Sequence, residues 1–130
     1  MGKLSAFLRT SPAGKKKEVF LDRFVDDDGK KVPFVVKSIT AGENDAIARR
    51  HRDGDGGLDD AAYGNELLVE CLVEPDLKDA ELCQYYGVMD PQMVPGRMFS
   101  PGELRILQAA VYEVNDIYAA KKKLEEAKNS

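Results

Sequence analysis

The chain is poor in the residues from which most catalytic and metal sites are built. It has one histidine and two cysteines in 130 residues. Cys71 and Cys83 are too few for a disulfide framework, and their spacing fits neither a CxxC redox pair nor a zinc pair. Both fall inside apolar helical patterns, where a free cysteine packs as a small hydrophobe. No apolar run approaches the ~20 residues of a membrane span. The N-terminus offers no stretch suited to a secretory signal, so a leader is not expected. P-loop, GxGxxG and GxSxG motifs are all missing. Positive charge is in deficit, with 19 Lys and Arg against 23 Asp and Glu, for a net charge of −4. Phosphate contacts need a positive surface, so nucleic acid is not an expected partner. These deficits point to a cytoplasmic protein that is not an enzyme and uses no cofactor or metal.

The residues that could carry chemistry have simpler explanations. His51 stands within Arg49-Arg50-His51-Arg52, which reads as a helix end where cations meet the dipole. The functional alternative is a small anion-binding patch. Asp53-Gly54-Asp55-Gly56-Gly57 begins like a calcium loop. Counted from Asp53, however, position 6 is Leu58 where glycine is needed, and position 12 is Gly64 where glutamate is needed. Tyr85-Tyr86 could stack on bases, but on an acidic chain core packing is the better assignment.

What the chain does have is 43% apolar residues and the length for a single core. Residues 1–17 read as a flexible segment with an apolar knot, Leu4, Phe7 and Leu8, ahead of a Pro, Gly and Lys linker. Residues 18–120 read as one globular domain, and 121–130 as a frayed polar tail. Strands are expected over 18–25 and 32–39, joined by a two-residue turn at Asp28-Gly29 that sets Val25 opposite Val32. Pro33 should lie outside the strand ladder or on its solvent edge. Thr40 and Glu43 form a capping box for a helix running to about Arg52. A third element spans 58–73, and a short helix 76–86 is closed by Gly87. Residues 88–99, with Pro91, Pro95 and Gly96, should be irregular. Ser100-Pro101-Gly102-Glu103 starts a final helix whose stripe Leu104, Leu107, Val111, Val114 and Tyr118 extends it to about Ala127. The fold class is therefore α+β: mainly helical, with an N-terminal antiparallel β-hairpin and a long C-terminal helix.

The order of these features resembles a known family. A hairpin reading VFLDRFVDDDGKKVPFVVKSITAGEND precedes a variable loop. LLVECLVEPDLKDAELCQYYGVMDP follows, and then SPGELRILQAAVYEVNDI. The most distinctive stretch runs through Val73-Glu74-Pro75-Asp76-Leu77, Asp79-Ala80-Glu81-Leu82 and Tyr86-Gly87-Val88. Over residues 19–117 the chain resembles the XkdN-like tail assembly chaperones of contractile-tailed phages and prophages. The resemblance implies a protein made during virion assembly that binds the tape measure protein. It would keep that long chain soluble until tail tube subunits polymerise around it. It implies no catalytic residues.

Binding a long helical chain with apolar stripes calls for apolar grooves or helix faces. The candidate partner-binding residues are the knot, Leu4, Phe7 and Leu8, and the start of the last stripe, Leu104, Leu107 and Val111. The tape measure protein is the expected partner, and the tail tube protein is a second. A homo-oligomer is left open. The alternatives are a structural tail component retained in the virion and a nucleic-acid-binding phage regulator.

Overall fold

A computed structural model of the chain describes residues 3–128, the side chains of 118–121 excepted. β1 (Lys16–Val19) runs antiparallel to β2 (Phe34–Lys37), where aromatic and β-branched residues gather in the second strand. β2 begins just beyond Pro33, whose missing N–H cannot join a ladder. Strand alternation buries Phe34 and Val36 and leaves Val35 and Lys37 half-buried.

The hairpin departs from the regular one expected. Val19 pairs with Phe34, yet Val25 bridges Lys31 rather than Val32. A turn closed by Phe24 N–H donating to Leu21 O, at 3.1 Å, takes up the extra residues in the first arm. At the tip, Gly29 N–H donates to Asp26 O, and Asp26 N–H donates to Lys30 O. Gly29 has φ +79°, and Asp28 does not share the positive φ that a two-residue type I′ turn requires. The tip is instead a three-residue loop ending in a left-handed glycine. Asp26 Oδ1 accepts from the N–H groups of both Asp28 and Lys30, which stabilises this alternative.

The helix starts follow their caps. α1 (Ala41–Arg50) opens on the Thr40–Glu43 capping box. α2 (Asp60–Cys71) opens on Asp59. It stops at Cys71, because Leu72–Glu74 turns extended and becomes β3. β3 pairs antiparallel with the free edge of β2, so the sheet order is β1-β2-β3. Leu72 and Val73 prolong the helical apolar spacing, which hid this strand from a periodicity argument. The Glu74–Pro75 peptide is cis.

α3 (Ala80–Tyr85) is shorter than the 76–86 expected, because Asp79 is its N-cap and Asp76 shapes the preceding turn. Gly87, at φ +68°, closes it, with Val88 N–H donating to Cys83 O. Residues 88–99 are not irregular throughout. A 3-10 turn (Pro91–Met93) leads into α4 (Val94–Met98). Pro95 sits in the first turn, where a missing N–H breaks no helical bond.

α5 (Pro101–Val114) opens on the Ser100–Glu103 capping box, as the sequence indicates. It is not one long helix to Ala127. Asn115 caps it, Asp116 takes φ +60°, and a separate α6 (Ile117–Lys128) follows. The break has a tertiary cause. Asn115 Oδ1 accepts from Ile39 N–H at 2.9 Å, while its Nδ2 donates to Val111 O at 2.8 Å. The end of α5 is thus tied to the β2–α1 junction. Lys15–Asp116 and Lys17–Glu113 ion pairs, at 3.1 and 2.9 Å, tie the same end to the start of β1. The polar residues 121–128 belong to α6. The side chain of Tyr118 lies outside the described residues.

The core lies where α2 and α5 cover the sheet. Val36, Leu67, Leu68, Cys71, Leu77, Val94, Leu107 and Val111 are all fully buried. Phe24, Phe34 and Phe99 meet edge to face, with centroids 4.9–6.0 Å apart. Cys71 and Cys83 are free and buried. Burial pushes the Cys71 thiol up to about 11, so it stays protonated at neutral pH.

One carboxylate is built into this interior. Glu66, on α2, is 4% exposed. It accepts from Arg50 Nε at 2.8 Å and from Arg50 Nη2. His51 Nε2 lies 2.9 Å away, and Gln92 Nε2 donates at 3.1 Å. Hydrogen bonding from Arg50 holds the Glu66 carboxyl below the usual range, against the opposing effect of burial. Arg50 and His51 are therefore committed to Glu66 rather than to an external anion. Arg52 is committed as well, donating to Gly56 O at 3.2 Å.

Two stability measurements check this account. Gly29→Val should destabilise the chain by about 1 kcal/mol or more, since a β-branched residue resists positive φ. An unmoved urea midpoint would remove the left-handed tip from the argument. Glu66→Gln keeps the shape but loses the charge, leaving Arg50 and His51 poorly matched. It should cost about 1–3 kcal/mol at neutral pH. Wild-type stability in that variant would show that the cluster contributes nothing net.

Candidate docking surface

The sequence-derived partner residues divide into two groups. Leu4, Phe7 and Leu8 sit on and beside a 3-10 turn (Lys3–Phe7) that buries no residue. They are 69%, 76% and 70% exposed. Leu107 and Val111, by contrast, are closed in the core at 0% and 1% exposure. Leu104 is partly buried and packs against that core. In this fold the last-helix stripe holds the domain together, because α5 lies against both α2 and the sheet. The Asp53 loop is likewise internally satisfied, with Asp53 Oδ1 accepting from the N–H groups of Asp55 and Gly57.

The segment before Lys16 is anchored before it becomes an exposed arm. Gly14 N–H donates to Ser38 O at 2.9 Å, and Lys15 N–H to Ser38 Oγ at 3.0 Å. Ser38 Oγ in turn donates to Pro12 O at 2.9 Å. The strand itself starts at Lys16, inside the stretch expected to be linker.

A groove that the sequence reading did not single out opens where β3 leaves the sheet. It holds about 530 Å³ and is lined by Pro75, Leu82 and Tyr85, with Glu74, Asp76, Asp79 and Glu81 around it. The local sequence explains its shape. Asp76 Oδ1 accepts from Lys78 N–H and Asp79 Oδ1 from Leu82 N–H, so two turns bend the chain from β3 into α3. Asp76 and Asp79 are thereby oriented by the backbone. Among the described residues no ion pair reaches any of the four carboxylates, since the nearby Lys78 pairs with Glu70 at 3.1 Å. Tyr85 is not core: it is 82% exposed and stands edge to face on Tyr86, with centroids 4.9 Å apart.

Glu74 and Pro75 also border a second, more apolar recess of about 340 Å³ over Phe24, Phe34 and Met98, flanked by exposed Val25 and Val32. Arg23 forms its wall. Its guanidinium lies 4.4 Å from the Phe24 ring centroid, donates to Met98 O, and binds Glu103 with two hydrogen bonds of 2.8 and 3.1 Å. The guanidinium, together with the Ser100 N–H, holds the Glu103 carboxyl down at about 2. The stretch that carries the family resemblance is the one that builds the first groove. That was the signal for it, although a linear pattern does not show that the residues converge.

The family model for phage XkdN-like tail assembly chaperones matches residues 4–128. The chain belongs to this family. Among its relatives is the Bacillus subtilis (strain 168) phage-like element PBSX protein XkdN, 30% identical over 109 residues, 76% of this chain and 74% of that protein. YqbN of the same strain is 34% identical over 88 residues, which cover 62% of this chain and 59% of YqbN. The match thus spans less than two thirds of YqbN's length. The crystal structure of YqbN superposes with a TM-score of 0.72 at 31% identity, covering 88% of this chain and 97% of that one. No helix among the described residues is long and apolar enough to cross a membrane.

The Arg23–Glu103 pair has a pH signature. The Glu103 carboxyl is held below its ordinary value when folded, so its stabilisation is complete above that value and fades as pH falls towards 2. Glu103→Gln should therefore be less stable than the wild type at neutral pH, with the gap closing on acidification. A gap that stays constant with pH would show that the carboxylate charge does not contribute.

Proposed function

We propose that this tail assembly chaperone acts without catalysis, in the host cytoplasm, by binding the tape measure protein through exposed apolar side chains. The observation that carries the reading is the exposure of Leu4, Phe7 and Leu8 on an arm tethered at Pro12. Apolar groups presented beyond a tether can reach the apolar stripe of a long helical chain, as in helix-in-groove capture. The tail tube protein is a second partner on the same reading. A structural tail component retained in the virion is the rival. A nucleic-acid-binding regulator finds less support, since Arg50 and Arg52 are engaged within the domain.

Co-expression tests the proposal. The full chain should raise the soluble fraction of the tape measure protein, and deletion of residues 1–11 should weaken that rescue while leaving the melting transition of the domain in place. Equal rescue by the shortened chain would remove the arm from the mechanism. Abundant copies of the chain in purified particles would favour the retained tail component.

A further inference from the structure

The two recesses beside β3 share a wall. The groove at α3 and the recess over Phe24, Phe34 and Met98 are both bounded by Glu74 and Pro75. They form one valley with two apolar floors, and Val25, Val32 and Tyr85 along it stay exposed. Its charge is uneven. Around Leu82 and Tyr85 stand Glu74, Asp76, Asp79 and Glu81, none of which makes an ion pair among the described residues. At the other end the cation that lines the wall, Arg23, is cancelled by Glu103. From this pairing of apolar floors with an uncompensated acidic rim we infer that the valley is the docking site for an amphipathic helix of another protein, one with a row of apolar side chains and Lys or Arg along its flank. The inference goes beyond capture by the N-terminal arm and does not rest on it.

The two floors call for a row of apolar groups. Side chains three or four positions apart share one helix face, so successive turns of a docked helix can seat a side chain in each recess. The rim selects the charge beside that row. Asp76 and Asp79 are held by the N–H groups of Lys78 and Leu82, so a cation meets acceptors already fixed in place, which lowers the ordering cost of binding. An acidic or phosphate-bearing partner would meet four like charges instead. Tyr85 is the anchor. Its exposed ring, standing edge to face on Tyr86, can take an apolar side chain or a cation.

The chain's own arm does not fit this description. It leaves the β1 edge at the Lys37 end of β2, with Pro12 beside Ile39 and Thr40. The valley lies at the Phe34 end and along the β3 edge. The arm also carries a single apolar knot on and beside a five-residue turn, against two recesses.

Fluorescence anisotropy on the full chain tests the assignment. The probe is a labelled helical peptide of about 16 residues, with leucine along one face and lysine on its flanks. Two matched peptides carry glutamate for every lysine, or serine for every leucine. The wild type should bind the probe, less tightly as salt rises, and each matched peptide about tenfold or more weakly. Tyr85→Ala and Glu81→Lys should each raise the dissociation constant for the probe about tenfold or more. Glu126→Lys makes the same change of net charge on α6, lines neither recess, and should leave that constant within about twofold. Glu74, Glu81, Tyr85 and Glu126 are all exposed, so circular dichroism should show wild-type melting for every variant. The decisive chain combines Glu74→Lys with Glu81→Lys. It should lose the lysine probe and gain the glutamate peptide. A wild type that binds all three peptides alike overturns the proposal. So does a Glu126→Lys effect as large as that of Glu81→Lys, or a double reversal that does not exchange its preference. Probe binding that appears only after deletion of residues 1–11 also overturns it, by giving the valley to the chain's own arm. The probe contains no client, so these results stand apart from the rescue of a client by the arm.

Discussion

The burial of one carboxylate constrains this fold more than any other polar contact. A charged group taken out of water is costly unless it is paired and hydrogen-bonded, and breaking such a cluster leaves the remaining partners unmatched. Glu66 lies on the inward side of α2, so its partners must be brought to it from elsewhere. The C-terminal end of α1 supplies Arg50 and His51, and the 3-10 turn before α4 supplies Gln92. Two segments far apart in sequence are thereby held in one arrangement around α2. Arg50 is half exposed and keeps much of its hydration. This lowers the desolvation cost and makes the cluster a device of position as much as of stability.

Asn115 does similar work at the junction of β2 and α1. Its side chain accepts from the backbone at Ile39 and donates to the last turn of α5, closing the helix while fixing the strand-to-helix junction. The Ser38 side chain, one residue upstream, holds the base of the N-terminal arm. The arm therefore projects from a braced corner while its apolar residues remain exposed. The acidic groove opens on the other edge, where β3 turns into α3.

Local signals were legible where the chemistry is local. Both capping boxes, the Gly87 stop and the exclusion of Pro33 from the ladder depend on a few neighbouring residues. The errors cluster where a distant partner decides. β3 exists because β2 offers an open edge to Leu72–Glu74. The final helix breaks because Asn115 is drawn to Ile39. Leu107 and Val111 satisfied the pattern for an exposed docking stripe equally well, since periodicity identifies an apolar face without saying what covers it. Tyr85 and Tyr86 differ in burial although they are adjacent and identical.

By itself, then, the sequence determined the class of the fold, the two helix starts marked by capping boxes and the family, since caps, turn residues and spacing act over one or two turns of chain. The tertiary structure alone decided the three-stranded sheet, the burial of the α5 stripe, the inward turn of Arg50 and His51, and the groove between β3 and α3. Each of those depends on which surfaces meet. That is set by the collective burial of apolar area and by the need to satisfy every buried polar group, and neither is written in any short stretch of residues.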